Sequence, residues 1–298
     1  MWPGTGRLLR LVMHPMTVAE RSGAPAAPLL DRLADGATLP SPKDPPDLRG
    51  YIELALQSGF PEPSLRLPED LRGRWLESYV TNVLTRDAGL VDQGRDPDRM
   101  RRYFEAYALN VAGVVADKTL YDAAGITRTT AVAYERLLTN LMVLAPLPAW
   151  ASNRLRRLVF APKRMVVDPG LVAGALRLDV AGVMRDGDLL GRLLEALVVA
   201  QLQPEAEVAR ARPRLHHLRS QSGRHEVDVV AELGGGRVIG LEVKATSAPD
   251  AGSARHLAWL RDELGPRFVA GAVLHTGPSA FSLGDRIRAL PIATIWQP

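Results

Sequence analysis

Three carboxylates and one ammonium are spaced so that a β-hairpin would bring them together. Two short segments rich in β-branched residues flank three consecutive glycines at 234–236. The segments predict strands, and the glycines predict a tight turn between them. A hairpin folded about the middle glycine places Asp228 opposite Glu242 and Glu226 opposite Lys244. Because strand side chains alternate between faces, all four are expected on one face of the sheet.

Facing carboxylates repel each other unless a positive charge lies between them. Asp228 and Glu242 therefore predict a site for a hard divalent cation, Mg²⁺ or Mn²⁺, which takes one or two carboxylates and keeps several waters. Lys244 would orient a water molecule or neutralise charge on a phosphate. The alternative is a solvated hairpin face with a Glu226–Lys244 cross-strand pair, because short motifs often occur by chance.

A further acid lies on a predicted helix that precedes the hairpin. Residues 188–202 are apolar on nearly all sides, and Glu195 is the acid within the run. A buried carboxylate is costly unless it is paired or bound to a metal. Glu195 is therefore a candidate third acidic group of the site. The alternative is an ion pair with Arg192 on an exposed strip.

Residues 96–148 predict a helix, a short helix, a glycine turn, a helix and an apolar strand. Asp96 and Thr127 are the expected N-caps of the first and last helices. This order is typical of a winged-helix or helix-turn-helix unit. In such a unit Arg128 and Thr129 would contact DNA. The alternative is a winged helix used for protein packing, because this helix carries few basic residues.

Basic residues also cluster between the helical region and the hairpin. The run RLRR at 154–157, with Lys163 and Arg164, would suit phosphate contact, but an exposed wing or loop is the favoured interpretation. A basic strand over 210–219 ends at Arg219, a further candidate for contact with DNA. The strand's neighbouring histidines do not make a metal centre without a third ligand.

The remaining elements predict a mixed α/β region after residue 160. Residues 164–168 predict a short strand, and residues 250–264 predict a helix that follows the hairpin. A strand is expected around 267–277, and the closing segment 281–296 predicts a helix and a strand. Such an order completes a small α/β core with helices packed on a sheet.

Composition indicates an ordinary globular protein of 298 residues with 46% hydrophobic and 23% charged residues. The absence of cysteine excludes disulfides and cysteine-based zinc sites and fits a cytoplasmic location. No apolar run reaches the roughly 18–20 residues that a membrane span needs, so no membrane association is expected. The formal net charge of +4 is compatible with nucleic acid. A protein partner or a second copy of the chain is a further expectation.

The pattern Asp…Glu-x-Lys on a hairpin resembles the core of the PD-(D/E)XK nuclease superfamily, although Val227 stands where the name has proline. In that fold an acid on the first core helix commonly completes the site, and Glu195 occupies the corresponding place. More widely, the chain resembles the back two-thirds of a prokaryotic AAA-type ATPase family with a C-terminal domain of unknown function 4143. The matching segments are TGRLLRL, SGFPEP, WLESYVTNVLTRD, PKRMVVDPGL, RSQSGRHEVDVV and LEVKATS.

The resemblance implies three parts. Residues 1–47 would be a remnant of the ATPase module and a linker, 48–160 a helical region with a winged helix, and 161–298 a PD-(D/E)XK-like α/β domain. The expected function is a nucleic-acid-associated protein with a Mg²⁺-dependent nuclease-like site. The alternative is a non-catalytic module that binds DNA or a protein and regulates it, since superfamily membership does not establish cleavage.

The chain contains no G-x-x-x-x-G-K-[ST] motif, so the phosphate cradle of an ATPase is missing. The sequence would then be a fragment, a chain with a misassigned start, or a degenerate homologue. We expect this chain alone neither to bind nor to hydrolyse ATP. Titration with ATP in the presence of Mg²⁺, followed by calorimetry, checks this expectation, and tight Mg²⁺-dependent binding would contradict it.

Overall fold

The computed structural model describes residues 12–23, 26–87, 96–152, 160–220 and 223–297. The architecture is mixed α/β, as the sequence predicts: a largely helical first half leads into a six-stranded mixed sheet. Within the described residues, none of the helices is both long and apolar enough to cross a bilayer.

Helices dominate the first part of the chain. They comprise α1 (Val18–Ser22), α2 (Leu29–Ala34), α3 (Leu48–Gln57) and α4 (Glu69–Asn82), with π-helical turns at Glu62–Arg66 and Val83–Asp87. Thr17 caps α1, where its side chain and that of Glu20 form a reciprocal capping box. Leu29, Leu30 and Leu33 bury one face of α2. These early helices therefore share the main core with the second half of the chain.

The next three helices are α5 (Pro97–Leu109), α6 (Asp117–Ala124) and α7 (Arg128–Asn140). Asp96 and Thr127 cap α5 and α7 through their side chains, as predicted. Gly125 ends α6 in the left-handed conformation, with φ of 64°. The predicted order of a helix, a short helix, a glycine turn and a helix is thus present.

The two strands predicted next to these helices do not form as strands. Instead, the chain makes isolated antiparallel bridges, Leu144 with Val166 and Leu147 with Lys163. Met142, with φ of 56°, turns the chain immediately after α7. Two single bridges tie the segments together, whereas a strand would need a continuous ladder on a neighbouring segment.

The second half begins with α8 (Gly170–Leu176), α9 (Val180–Arg185) and the long helix α10 (Gly187–Val208). The sheet contains β1 (Arg214–Arg219), β2 (Glu226–Glu232), β3 (Val238–Lys244), β4 (Phe268–His275), β5 (Phe281–Gly284) and β6 (Ile287–Pro291), in the order β1-β2-β3-β4-β6-β5. Helix α11 (Arg255–Leu264) lies between β3 and β4, and these two strands are parallel. A helix between parallel strands is the expected crossover.

The predicted hairpin register is confirmed where β2 and β3 pair. Val229 faces Leu241 and Glu232 faces Val238 across the antiparallel ladder. Gly235 and Gly236 make the turn with φ of 73° and 72°, a left-handed conformation that favours glycine.

The closing segment differs from its prediction. Where a helix and a strand were expected, the chain forms the antiparallel strands β5 and β6 and then a 3₁₀ turn at Ile292–Ile295. The reversal between the strands uses Gly284 at φ 145° and Arg286 at φ 56°. As a strand, β6 finds hydrogen-bond partners for its backbone along the buried strand β4. This tertiary pairing outweighs the local preference of the segment.

Two apolar layers cover the sheet. The larger core joins the helical first half, α10 and one face of β2 and β3. A smaller core lies under α11 and contains Val227, Val230 and Leu257. The strand side chains divide between these two layers.

Gly174 in helix α8 lies close to the backbone of α4, so a substitution at Gly174 tests how tightly the two helices pack. A Cβ at Gly174 in α8 would lie 2.6 Å from the carbonyl carbon of Leu76 in α4. We therefore expect Gly174→Ala to destabilise the protein by about 1–3 kcal/mol, because the α4 backbone must shift. Denaturation in urea measures the change.

The matched control is Gly191→Ala on α10, where an added Cβ meets no atom within 4 Å. Alanine there is expected to be neutral or to stabilise by up to about 1 kcal/mol, because it reduces the freedom of the unfolded chain. Equal destabilisation by both changes would contradict the packing argument.

Candidate functional site

The site begins at an irregularity in strand β2. The pairing of β1 with β2 shifts by one residue between His216 and Leu218, which leaves two residues of β2 opposite one of β1. Val227 and Val230 both belong to the smaller core, whereas Val229 belongs to the larger one. Such a β-bulge re-aims the side chain that it carries, and here that side chain belongs to Asp228.

Asp228 lies where β2 and β3 part. Its Oδ2 accepts a hydrogen bond from the backbone N–H of Val243 at 2.9 Å, and its Oδ1 accepts one from Lys163 Nζ at 3.2 Å. The carboxylate therefore replaces a ladder hydrogen bond of β3 and stays oriented into the protein.

Lys163 is the centre of the cluster. Its side chain is fully buried, and its Nζ lies 2.5 Å from Glu195 Oε1 on α10 and 3.9 Å from Glu226 Oε1. The backbone N–H and C=O of Lys163 both hydrogen-bond to the backbone of Leu147. These two bonds fix the direction from which the Lys163 side chain enters the cluster. A buried ammonium is stable only when carboxylates surround it in this way.

Glu242 and Lys244 complete the arrangement on β3. Only 2% of the Glu242 side chain is exposed, and its Oε2 accepts a hydrogen bond from Lys244 Nζ at 2.8 Å. Within the described part of the chain, its Oε1 is buried and has no hydrogen-bond partner. One oxygen of this acid thus remains available to a ligand.

The electrostatics show that the acids outnumber the nearby cations. Burial, together with Asp228, raises the pKa of Glu242 to about 8 and that of Glu195 to about 8. Burial alone would lower the pKa of the Lys163 ammonium, but Glu195 and Asp228 outweigh it and raise that pKa. Asp228 keeps a lowered pKa, because Lys163 and the Val243 N–H offset its burial. The cluster would gain from a further positive charge.

The donor set suits a hard cation at one position. Asp228 and Glu242 offer carboxylate oxygens, and Glu242 Oε1 is buried and unpartnered, which is what Mg²⁺ or Mn²⁺ would use. Glu195 does not join them, because it is bound to Lys163. Among the residues that the structure describes, no three His, Cys, Asp or Glu side chains form a metal-binding group.

The structure thus gathers Asp228, Glu242, Lys244 and Glu195 into one connected set. The alternative pairing of Glu195 with Arg192 is wrong, because Arg192 binds Asp188 and Glu195 binds Lys163. The favoured interpretation of Lys163 and Arg164 as an exposed wing is also wrong, because both side chains are buried. The run 154–157 lies outside the described residues.

Lys163 is the residue that sequence reasoning failed to place in the site. Its burial could have been predicted from its position just before the apolar run Met165–Val167, because a solvated loop is unexpected there. Its partners Glu195 and Asp228 lie 32 and 65 residues away, so spacing alone could not identify them.

The predicted DNA-contact residues lie outside this cluster or at its rim. Arg128 and Thr129 are exposed in the first turn of α7. Arg219 at the end of β1 is partly exposed, donates from Nη1 to the Val114 carbonyl at 3.2 Å, and has Nε 3.9 Å from Glu226. Arg219 alone of the three therefore approaches the acids.

Two of the histidines, His217 and His225, make packing contacts. His217 is buried, and burial, with Lys163 adding to it, lowers its pKa to about 4. His225 stacks on Trp259 with ring centroids 4.1 Å apart. These contacts give the two histidines packing roles.

Comparison with known proteins supports part of the resemblance noted above. Residues 48–181 match the model of a "Domain of unknown function (DUF8612)", and residues 190–295 match that of a "Domain of unknown function (DUF4143)". An uncharacterized protein of Mycobacterium tuberculosis and one of Mycobacterium bovis are each 27% identical over 238 residues. The alignment covers 80% of this chain and 52% of each relative, so the chain spans about half their length. No solved structure matches.

The raised pKa of Glu242 predicts how stability changes with pH. A carboxyl whose folded pKa lies above its unfolded value holds its proton more tightly when folded. The contribution of Glu242 to the free energy of unfolding is then fully present below 4.5, the pKa of the unfolded state. It is lost as the pH rises through about 8, the pKa of the folded state. We expect the metal-free protein to melt at a lower temperature at pH 9 than at pH 6.

Glu242→Gln should reduce this slope, because glutamine does not titrate. Thermal melts of both proteins across pH 5–9 measure the difference. Asp262→Asn is the matched control, since the Asp262 side chain is 68% exposed on α11. A variant slope equal to that of the unmodified protein would contradict the assignment to Glu242.

Proposed function

We propose that the chain is a nucleic-acid-associated protein whose acidic cluster binds one divalent cation and hydrolyses phosphodiester bonds. The observation that carries the proposal is the buried, unpartnered Oε1 of Glu242 beside Asp228. A buried carboxyl oxygen without a hydrogen-bond donor is costly, and a cation would stabilise it.

In this proposal Asp228 and Glu242 hold the cation, which when bound would polarise a phosphate oxygen and an attacking water. Lys244 donates to Glu242 and is 36% exposed, so its ammonium lies at the boundary between the cluster and solvent. From there it can neutralise charge that develops on a phosphate. Lys163 and Glu195 keep Asp228 in place.

The substrate would approach from the side on which Arg219 and Lys244 are exposed. Both are cationic, and Arg219 lies 3.9 Å from Glu226 at the rim of the cluster. Phosphate contacts from such residues position nucleic acid without reading its sequence. Arg128 and Thr129 on α7 would add a second contact region if α5 to α7 and the bridged segments serve as a winged helix.

Two finer assignments belong to this proposal. The hairpin, the preceding helix with Glu195 and the acid–acid–lysine set support a PD-(D/E)XK-like domain. The match of residues 190–295 to the domain of unknown function 4143 supports a relation to AAA-type ATPases, longer proteins in which another module would supply nucleotide hydrolysis. The activity of such a longer protein is an inference from resemblance.

One observation favours the rival function, a non-catalytic module that binds DNA or a protein. Lys163 already neutralises Glu195 and Asp228, so part of the cluster is satisfied without a metal. In that case the cluster would stabilise the fold, and binding would depend on Arg128, Arg219 and their neighbours.

The proposal predicts that Mn²⁺ or Mg²⁺ binds at one equivalent and that Asp228→Asn and Glu242→Gln weaken binding at least about tenfold. Both substitutions keep the side-chain size and remove the negative charge. Calorimetric titration with MnCl₂ measures binding, and circular dichroism verifies that the variants are folded. Asp262→Asn is the control and should bind like the unmodified protein.

Cleavage of plasmid and of single- and double-stranded oligonucleotides then separates the two functions. Metal-dependent cleavage that disappears in Asp228→Asn supports hydrolysis. Metal binding without cleavage, together with weaker DNA binding by Arg128→Glu, supports the rival. The absence of any metal binding by the folded protein would overturn the proposed site.

A further inference from the structure

Lys163 makes an unusually complete set of contacts for a lysine. Its side chain is fully buried, and its ammonium lies within 4 Å of Glu195, Asp228 and Glu226. Three carboxylates around one point repel one another, and the ammonium offsets that repulsion. The ammonium therefore occupies a cation position that the protein has filled with one of its own side chains.

The lysine cannot easily withdraw from this position. Its backbone N–H and C=O both pair with Leu147, and the next residue, Arg164, is buried and bound to Glu135 and Asp117. These contacts fix the chain on either side of the Lys163 Cα. The ammonium is thus held at the carboxylates by the helical part of the chain.

The two halves of the cluster differ for this reason. On the Glu195 side, Lys163 satisfies the acids, whereas on the Glu242 side one buried oxygen has no donor among the described residues. Asp228 lies between them and contributes to both. Lys163 therefore pairs with the Glu195 side of the cluster, whereas Lys244 pairs with Glu242.

We propose that Lys163 acts as a resident cation that restricts the site to a single divalent ion, and that removing its charge opens a second divalent position at Glu195 and Asp228. The inference rests on the proposed cation site at Asp228 and Glu242 but concerns a different position. In this role Lys163 is a positioning residue, because it acts through the two carboxylates.

The test is the number of Mn²⁺ ions bound by Lys163→Gln, measured by calorimetry with MnCl₂. Glutamine keeps a hydrogen-bond donor near Glu195 but removes the charge. We expect one ion in the unmodified protein and two in the variant. The double variant Lys163→Gln/Glu195→Gln should return to one ion, because the new position has lost a ligand.

Lys118→Gln is the matched control. The Lys118 side chain is 70% exposed and pairs with Asp122 on the surface of α6, so its loss should leave the count unchanged. One ion bound with unaltered affinity by folded Lys163→Gln would overturn the inference. That result would leave the proposed function intact.

The two proposals can fail separately. If the unmodified protein binds no Mn²⁺ and Lys163→Gln binds one ion, Lys163 is the resident cation but the site at Glu242 is absent. If neither protein binds Mn²⁺, both proposals are overturned.

Loss of the buried charge could also unfold the variant, and thermal melts then decide the question. If a divalent ion can replace the ammonium, MnCl₂ should restore a cooperative transition and raise its midpoint by roughly 5 °C or more at saturation. A variant that stays unfolded at every MnCl₂ concentration would overturn the inference.

Discussion

The burial of the Lys163 ammonium among carboxylates is the constraint on which the candidate site depends. A lone charge inside a protein is strongly disfavoured, so the lysine and its partners must be positioned together. Glu195 comes from α10, Asp228 from β2, and Lys163 from the segment bridged to Leu147. Helix, strand and bridged segment are therefore fixed relative to one another by one set of ion pairs.

Arg164 extends this constraint to the helical part of the chain. It is buried beside Tyr107 and bonds to Glu135 on α7 and Asp117 on α6. Two consecutive basic residues thus connect opposite parts of the molecule: one enters the acidic cluster and the other holds the helices. Loss of the Lys163 charge would leave the largely buried carboxylates of Glu195 and Asp228 without their partner, which is generally more damaging than loss of an exposed pair.

The β-bulge in β2 provides the second requirement of the site. Regular alternation would turn Asp228 and Val230 to the same face, and the side chain of Asp228 would compete with apolar packing under α11. The extra residue lets Val227 and Val230 pack in one layer while Asp228 reaches Lys163 and the Val243 N–H. A local irregularity thus lets Asp228 reach Lys163 from a strand whose valines pack in the two apolar cores.

The sequence by itself determined the local elements and the acidic half of the site. Caps at Asp96 and Thr127, the glycine turn and the β2–β3 register follow from residues close together in the chain, as does the candidacy of Asp228 and Glu242. Only the tertiary structure decided that Lys163 is their partner, that residues 144–147 and 163–166 form single bridges, and that the closing segment is a strand pair. Those outcomes depend on contacts between distant segments, where burial of a charge and the supply of backbone partners outweigh local preference.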